Sequence, residues 1–256
     1  MAGKVFFSVT MSLDGFIAPD SPEELMGQQW MELQQWVFPL RFTRENLKLG
    51  EGGEEGRDND ILRETFERTG ASVMGKRMFD AGEQAWLLAQ RWFRENLKLG
   101  EGGEEGLDND IARATYERTG VSVMGRRMFD AGELAWPEEA PFHTPVFVVT
   151  HTRREPWERP GGTTFHFVDE GVECALDRAR EAAGDRDVRI AGGAATILQY
   201  VNAGLVDEFT VALSPVLFGA GIRLFDGVDA ARVALEPVRS ESSPRVTHLT
   251  YAVRPR

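Results

Sequence analysis

Apolar and polar positions along the chain follow two periods, and together they predict an α/β domain. Runs rich in β-branched and aromatic residues predict strands at 4–10, 145–150, 163–168, 188–191, 209–213 and 247–253. Apolar residues spaced three and four apart predict helices at 23–38, 171–183 and 194–203. Because strands alternate with helices, we expect a mostly parallel sheet covered by helices on both faces. The late strands predict an antiparallel edge.

One segment of the chain occurs twice. Residues 44–86 and 94–136 are identical at 36 of 43 positions. Each copy contains a Gly-rich loop, a helix with good capping residues before it (61–66 in the first copy) and a short strand (71–74 in the first copy). Two copies are too few for a solenoid, so we expect a duplicated helix–strand segment inside a single domain spanning 1–256.

Composition and charge restrict the possible partners. The formal net charge of −12 argues against binding to nucleic acid or an anionic membrane, but it leaves room for a local phosphate site. No apolar run approaches the ~20 residues that cross a bilayer, and the first residues fit a strand better than a signal peptide. The single cysteine, Cys174, cannot form an intrachain disulfide, so we expect a cytoplasmic protein. The four histidines lack metal-ligand spacing, and no metal site is predicted.

Three turns follow predicted strands, at the position where open α/β sheets bind ligands. Each turn combines glycines, cations or hydroxyl groups with the start of a helix or loop. The backbone N–H groups and polar side chains of such a turn could hold a phosphate. The first turn contains Gly125, Arg126 and Arg127, and its counterpart in the other copy contains Gly75, Lys76 and Arg77. The second contains Thr150, His151, Thr152, Arg153 and Arg154. The third contains Gly192, Gly193, Ala194, Ala195 and Thr196.

Each turn also has a purely structural interpretation. The first fits a strand-to-helix turn with solvated arginines, the second an exposed basic loop, and the third tight packing of a strand against a helix. The third turn is not the G-x-G-x-x-G fingerprint, so a standard Rossmann domain is not indicated. The presence of three such turns on one predicted sheet favours nucleotide binding, and the second turn suits the 2′-phosphate of NADPH.

The order of four segments resembles the dihydrofolate reductase superfamily. These segments are 5–18 (VFFSVTMSLDGFIA), 123–129 (VMGRRMF), 145–151 (PVFVVTH) and 190–194 (IAGGA). Two later segments, 205–208 (LVDE) and 215–225 (PVLFGAGIRLF), are similar to the branch that contains the reductase domain of bifunctional riboflavin-biosynthesis proteins. The resemblance covers nearly the whole chain apart from one copy of the repeat.

The resemblance implies a central eight-stranded sheet with NADPH bound across its carboxyl ends. It assigns the adenosine phosphates to Gly125, Arg126, Arg127 and residues 150–153, and the pyrophosphate to the turn that contains Gly192 and Gly193. The residues that it places beside the nicotinamide are Thr10, Ile17 and Ala18. The substrate is then expected between the first loop, the first helix and residues 218–221, with candidate contacts at Asp14, Trp30, Phe218 and Gly219. Asp14 also suits the formation of its own turn.

Two features depart from the family pattern. Dihydrofolate reductases carry a substrate-binding carboxylate on the first helix, but Glu23, Glu24 and Glu32 match no motif, so no catalytic residue is assigned. The sheet also has room for only one Val-Met-Gly strand. We favour the second copy, because its connection to the next strand is short. The other copy could pack as an appended segment or exchange with a neighbouring chain, so we expect a homodimer, with or without exchange of this segment.

Two functions are compatible with these residues. The first is an NADPH-dependent reductase of a small pterin-like or pyrimidine-like ring. The second is a non-catalytic nucleotide-binding or assembly module on the same fold, perturbed by the duplication. Turnover of an added substrate with NADPH would distinguish them.

Overall fold

The structure is a computed structural model that describes residues 3–20, 28–37, 39–40, 43, 69–71, 121–126, 129 and 142–256. Arg127, Glu23, Glu24, the helix expected at 61–66 and most of both repeat copies lie outside the described residues. Within the described ranges, no helix is both long enough and apolar enough to cross a bilayer.

The described elements alternate between strands and helices for much of the chain. The strands are β1 (Val5–Ser12), β2 (Phe16–Ala18), β3 (Thr69–Ala71), β4 (Val121–Gly125), β5 (Val146–Val149), β6 (Trp157–Arg159), β7 (Thr163–Val168), β8 (Asp187–Ile190), β9 (Glu208–Ser214), β10 (Ile222–Arg223), β11 (Val233–Ser242) and β12 (Thr247–Pro255). The helices are α1 (Gln28–Gln34), α2 (Val172–Ala183) and α3 (Ala194–Asn202), and Pro160–Gly162 form a 3₁₀ turn.

The main sheet is mixed and mostly parallel, which confirms the expected α/β fold class. Its strands lie in the order β11-β12-β9-β1-β8-β4-β5-β7-β6. The six strands from β9 to β7 run parallel to their neighbours. The expected antiparallel edge is formed by β12 against β9 and by β11 against β12. A second, two-stranded antiparallel sheet joins β2 to β10.

The main sheet contains more strands than the resemblance implied. We expected eight, whereas ten of the described strands belong to it. Two of the ten are only three residues long: β3, which pairs with β8, and β6, which forms a hairpin with β7 at the far edge. The sheet is therefore extended by short strands, and its parallel centre is the part that matches the expectation.

The second repeat copy supplies the strand beside β5. Residues of β4 pair with β5 from Ser122 to Gly125, and β4 also pairs with β8 on its other side. This position agrees with the short connection that favoured the second copy. The first copy contributes β3, where Ala71 pairs with Val188. Val121, the counterpart of Ala71, pairs with the same Val188.

The main core lies between the sheet and the helices α2 and α3. The inward face of α2 carries buried residues at helical spacing, Ala175, Leu176, Ala179 and Ala183. Phe7 of β1 and Phe209 of β9 stack with ring centroids 4.8 Å apart. Tyr200 of α3 is fully buried and donates its hydroxyl to the Val172 carbonyl at 2.8 Å. Each large side chain buried in this way contributes about 1.5–3 kcal/mol, so this packing fixes the strands that end at the candidate site.

Element boundaries differ from expectation where tertiary contacts override the local pattern. The helix expected at 23–38 is α1, which ends at Gln34 and is followed by a turn at 35–37. The strand expected at 4–10 continues to Ser12, because Met11 and Ser12 keep pairing with β9. The strand β11 was not predicted. It contains Pro237 and a bulge beside it, features that a strand tolerates only at a sheet edge.

Candidate functional site

The parallel strands of the main sheet end along one side, which we call the carboxyl edge. It comprises the last residue of β4 and the residues that follow β4, β5 and β8, namely 125–126, 150–153 and 192–196. From β4 the chain continues to the neighbouring strand β5. From β8 it continues in the opposite direction across the sheet, past β1, to β9. The strand order therefore reverses between β8 and β4. Such switch points create a crevice in which open α/β sheets bind ligands.

The turn after β8 has the backbone of an anion site. Gly192 is buried and has a φ of 121°, a value that favours glycine. Gly193 precedes α3, which begins with no side-chain cap. The Gly193 carbonyl accepts from the amides of Thr196 and Ile197 at 3.0 and 3.1 Å. The first N–H groups of α3 consequently point towards the carboxyl edge, where the helix dipole favours negative charge.

The turn after β5 is held at both ends and exposed in its middle. Thr150 is buried, its amide donates to the Val168 carbonyl at 3.0 Å, and its hydroxyl accepts from the Thr152 amide at 3.0 Å. The Arg154 guanidinium lies 4.9 and 5.0 Å from the ring centroids of Phe129 and Phe167. Between these anchors, the side chains of His151, Thr152 and Arg153 are exposed. The anchored turn can therefore present a cation and a hydroxyl to a phosphate.

The turn after β4 lies between the other two. Gly125 is the last residue of β4 and pairs with Val149 at the end of β5. Arg126 follows and is half-buried. The fold thus brings the described residues of the three predicted phosphate turns onto adjacent strand ends, in the order β8, β4 and β5.

The three residues expected beside the nicotinamide lie on β1 and β2. Thr10 is buried in β1, where its hydroxyl donates to Gln34 Oε1 at 3.0 Å and accepts from the Trp36 indole at 3.1 Å. Ile17 and Ala18 are half-buried in β2, which pairs with β10. The Thr10 hydroxyl therefore binds the first helix and the turn that follows it.

Asp14 is the centre of a group of hydrogen bonds that we call the Asp14 clamp, formed by Ser12, Asp14, Phe218 and Gly219. The Asp14 carboxylate accepts from the Ser12 hydroxyl at 2.6 Å, from the Phe218 amide at 3.1 Å and from the Gly219 amide at 2.7 Å. The Ser12 hydroxyl also accepts from the Phe16 amide at 2.9 Å. The clamp ties the β1–β2 turn to the loop that follows β9.

These hydrogen bonds keep the Asp14 carboxylate ionised. The bond from Ser12, with those from the Gly219 and Phe218 amides, lowers the pKa of Asp14 from its ordinary 3.8 to about 2, against an opposing effect of desolvation. Because its oxygens accept these hydrogen bonds, the Asp14 carboxylate orders the loop that follows β9. Asp14 is thus held in direct contact with the backbone of Phe218 and Gly219.

The first helix lies against the same loop. Gln29 of α1 donates to the Phe218 carbonyl at 3.1 Å. Trp30 is the next residue and is half-buried. Phe218 also stacks on Phe16, with ring centroids 6.5 Å apart. The four candidate substrate residues therefore belong to elements that meet: the β1–β2 turn, α1 and the loop after β9.

Sequence reasoning missed several polar residues of this region. Gln29, Gln34 and Arg223 were not singled out, although Arg223 donates to the Asp14 carbonyl at 2.8 Å and lies 4.3 Å from the Phe16 ring centroid. A glutamine on an amphipathic helix carries no spacing signal in the sequence. Its role depends on the rotation of the helix against the sheet, which the sequence pattern alone does not fix.

Comparison with known proteins identifies relatives. Two proteins of Bacillus subtilis (strain 168), both described as uncharacterized, match parts of the chain. YyaP is 31% identical over 86 residues, 33% of this chain and 45% of that protein. YwjB is 34% identical over 59 residues, 23% of this chain and 33% of that protein. The chain thus covers less than half of the length of these curated relatives.

A solved structure shares the fold over the whole chain. It is a diaminohydroxyphosphoribosylaminopyrimidine deaminase/5-amino-6-(5-phosphoribosylamino)uracil reductase from Thermotoga maritima, with a TM-score of 0.51 and 18% sequence identity. The likeness covers 99% of this chain and 57% of that one. At this level of identity, the likeness concerns the fold.

The family match spans nearly the whole chain. The sequence pattern of the family described as the RibD C-terminal domain matches residues 3–249. This span includes the three strand-end turns, the Asp14 clamp and both repeat copies. The chain belongs to the RibD C-terminal domain family, and its fold is the dihydrofolate reductase-like α/β fold.

Proposed function

We propose that this chain binds NADPH along the carboxyl edge and reduces a pyrimidine-like or pterin-like ring held near the Asp14 clamp. The observation that carries the proposal is the turn after β8. It combines a buried glycine at a φ of 121° with an uncapped helix at the point where the strand order reverses. This is the backbone arrangement that accommodates a pyrophosphate.

The residues present fit the cofactor. The first N–H groups of α3 and the backbone of Gly192 and Gly193 would hold the pyrophosphate. Arg126 and the turn Thr150–Arg153 would hold the adenosine phosphates, and the exposed Arg153 suits a 2′-phosphate because guanidinium binds phosphate oxygens bidentately. Thr10, Ile17 and Ala18 would flank the nicotinamide. When bound, NADPH supplies the hydride.

The rest of the region would position the ring to be reduced. The loop after β9, the β1–β2 turn and α1 are joined by hydrogen bonds from Asp14 and Gln29 to the Phe218 backbone. Asp14 has a pKa of about 2, so it is ionised at neutral pH and is not the proton donor. The name of the Thermotoga maritima protein supports a pyrimidine as the substrate class.

A titration of the purified chain with NADPH and NADH tests the proposal. Energy transfer from the six tryptophans reports binding. We expect saturable binding with preference for NADPH. The variant Arg153→Gln is expected to weaken NADPH binding about tenfold, because a charge-assisted hydrogen bond is lost, and to leave NADH binding nearly unchanged.

A matched control removes an arginine from the opposite side of the sheet. Arg254 lies near the end of β12, which is antiparallel to β9, and its exposed side chain pairs with Glu236 at 3.2 Å. Arg254→Gln makes the same charge change and is expected to preserve NADPH binding. If neither nucleotide binds at millimolar concentration, the reductase proposal fails.

The second candidate function is a non-catalytic nucleotide-binding or assembly module. It is supported by the pairing of β3, from the first repeat copy, with β8 of the central sheet. NADPH binding without turnover of any pyrimidine or pterin would favour it. A homodimer, with or without segment exchange, and a cytoplasmic location stay predictions. Sedimentation of the purified chain measures the assembly state directly.

A further inference from the structure

A chain of hydrogen bonds fixes the side chain of Gln34 over the middle of β1. The indole of Trp36 donates to the Thr10 hydroxyl at 3.1 Å, and that hydroxyl donates to Gln34 Oε1 at 3.0 Å. An indole N–H can only donate, so the Thr10 oxygen accepts from Trp36 and its own proton is directed to Gln34. Trp36 and Thr10 are both buried, and the amide carbonyl of Gln34 is thereby held in one orientation.

The other end of the same amide is available to a ligand. The amino group of Gln34 carries two N–H donors. Among the described residues, no acceptor takes a hydrogen bond from this group, and the group is not among the buried polar atoms that lack a partner. The side chain is half-buried, so the two donors face solvent or a ligand from a fixed position. Preorganised donors of this kind distinguish ligands better than mobile ones.

The location of Gln34 connects it to the proposed substrate region. At one end of α1, Gln29 bonds the Phe218 carbonyl, and at the other end Gln34 bonds Thr10. The helix therefore runs from the loop of the Asp14 clamp to a strand residue expected beside the nicotinamide. The carboxylate on α1, Glu32, is exposed, whereas Gln34 faces the sheet. The polar group that α1 presents on this face is a neutral amide.

We propose that Gln34 is a specificity-determining residue whose side-chain amino group donates to a carbonyl oxygen of the substrate ring. This inference rests on the proposed reductase function. Since the Gln34 carbonyl accepts from the Thr10 hydroxyl, the amide is oriented with its two N–H donors away from Thr10. A donor selects a ring carbonyl over a ring amino group at the same position, because the amino group would leave donors facing each other. Thr10 and Trp36 are positioning residues for this amide.

Two pyrimidines test the preference for a ring carbonyl over a ring amino group. 5,6-Diaminouracil and 2,5,6-triaminopyrimidin-4-one differ at C2, which carries an oxygen in the first and an amino group in the second, and in the hydrogen that one adjacent ring nitrogen loses. Calorimetric titration of the purified chain, with and without NADPH, gives both affinities. We expect the wild-type chain to bind the uracil about tenfold more tightly. Gln34→Glu keeps an acceptor for Thr10 but replaces the donors with a carboxylate, so the preference should reverse.

Two further variants separate this effect from folding and charge. Gln34→Met has similar length and no donors, and we expect it to bind both rings with nearly equal affinity. Gln35→Glu makes the same charge change at the neighbouring, exposed position, and it should retain the wild-type preference. Thermal unfolding of each variant identifies any loss of structure.

The outcomes distinguish this inference from the proposed function. Retention of the wild-type preference by Gln34→Glu and Gln34→Met would overturn the role of Gln34. The role of Gln34 would also be overturned if Gln35→Glu changed the preference equally, or if the wild-type chain bound neither ring at millimolar concentration. NADPH binding measured in the same samples reports on the cofactor site separately, because ring binding is also measured without the nucleotide.

Discussion

The Asp14 clamp and the carboxyl edge lie at strand ends of the same sheet, but they differ in what their polar groups bind. In the clamp, the Asp14 carboxylate accepts hydrogen bonds from a side chain and two backbone amides of the chain itself. At the carboxyl edge, Arg153 is exposed and α3 begins without a side-chain cap. One region uses its hydrogen bonds internally, and the other leaves donors directed outward.

This difference separates structural from ligand-binding residues in a way that residue type does not. Asp14 and Arg153 are both charged residues in turns that follow strands, and the sequence made both of them candidate site residues. The Asp14 carboxylate accepts hydrogen bonds from the Phe218 and Gly219 amides, so we expect it to order the loop after β9. Arg153 has the exposure that a phosphate contact requires. Variants in the clamp should therefore change stability, and variants at the edge should change binding.

The largest expected effect concerns the backbone beside the clamp. Gly221 has a φ of 141°, and a Cβ there would lie 2.5 Å from the Ala18 carbonyl oxygen. Gly221→Ala should lower the free energy of unfolding by about 3 kcal/mol, through backbone strain and this contact. Gly219→Ala is the matched control. Its φ is 73° and no atom lies within 4 Å, so the expected cost is about 1 kcal/mol. Urea unfolding measures both, and equal costs would show that the close approach to β2 is wrong.

A smaller effect is expected from Thr150, which links stability to binding at the carboxyl edge. Thr150→Val keeps the shape but removes the hydroxyl that accepts from the Thr152 amide. We expect a loss of about 1 kcal/mol in stability and a weaker affinity for NADPH, because the turn loses an internal bond. Thr152→Val, at an exposed position, should leave stability within about 0.5 kcal/mol of the wild-type value. Unchanged NADPH affinity in Thr150→Val would show that this turn does not contribute to nucleotide binding.

The smallest effect is confined to acidic pH. The pKa of Asp14 in the folded chain is about 2, below its ordinary 3.8. A lowered pKa means that the contribution is present above pH 4 and is lost as the pH falls from about 4 to about 2. Asp14→Asn should therefore lack this part of the pH dependence, which thermal unfolding between pH 2 and 7 measures. A variant whose stability falls with the wild-type slope over that range would contradict the account of the clamp.

Much of the fold could be predicted from the sequence because burial imposes a clear pattern. β5, β7, α2 and α3 were predicted to within one or two residues, since β-branched runs and helical spacing mark buried strands and amphipathic helices. β11 was missed because it is exposed, polar and interrupted by Pro237. Its pairing with β12 is a tertiary property that local propensity does not indicate.

The candidate site was predictable in part for a related reason. Glycines and cations after buried strands indicated the carboxyl edge, and the fold brings the described ones to adjacent strand ends. The clamp and the Gln34 amide depend on contacts between segments far apart in sequence, such as Asp14 with Gly219. The two repeat copies are nearly identical in sequence, so only their place in the chain distinguishes them. The short connection to β5 indicated that the second copy forms β4.

We infer that nucleotide binds at the carboxyl edge and that the second copy supplies the turn after β4. The most direct measurement compares the NADPH affinities of Arg126→Gln and Lys76→Gln, which change the corresponding cation in each copy. We expect Arg126→Gln to weaken binding about tenfold and Lys76→Gln to have no effect. Weaker binding only in Lys76→Gln would assign the site to the first copy. Unchanged binding in both variants would contradict a nucleotide site at this turn.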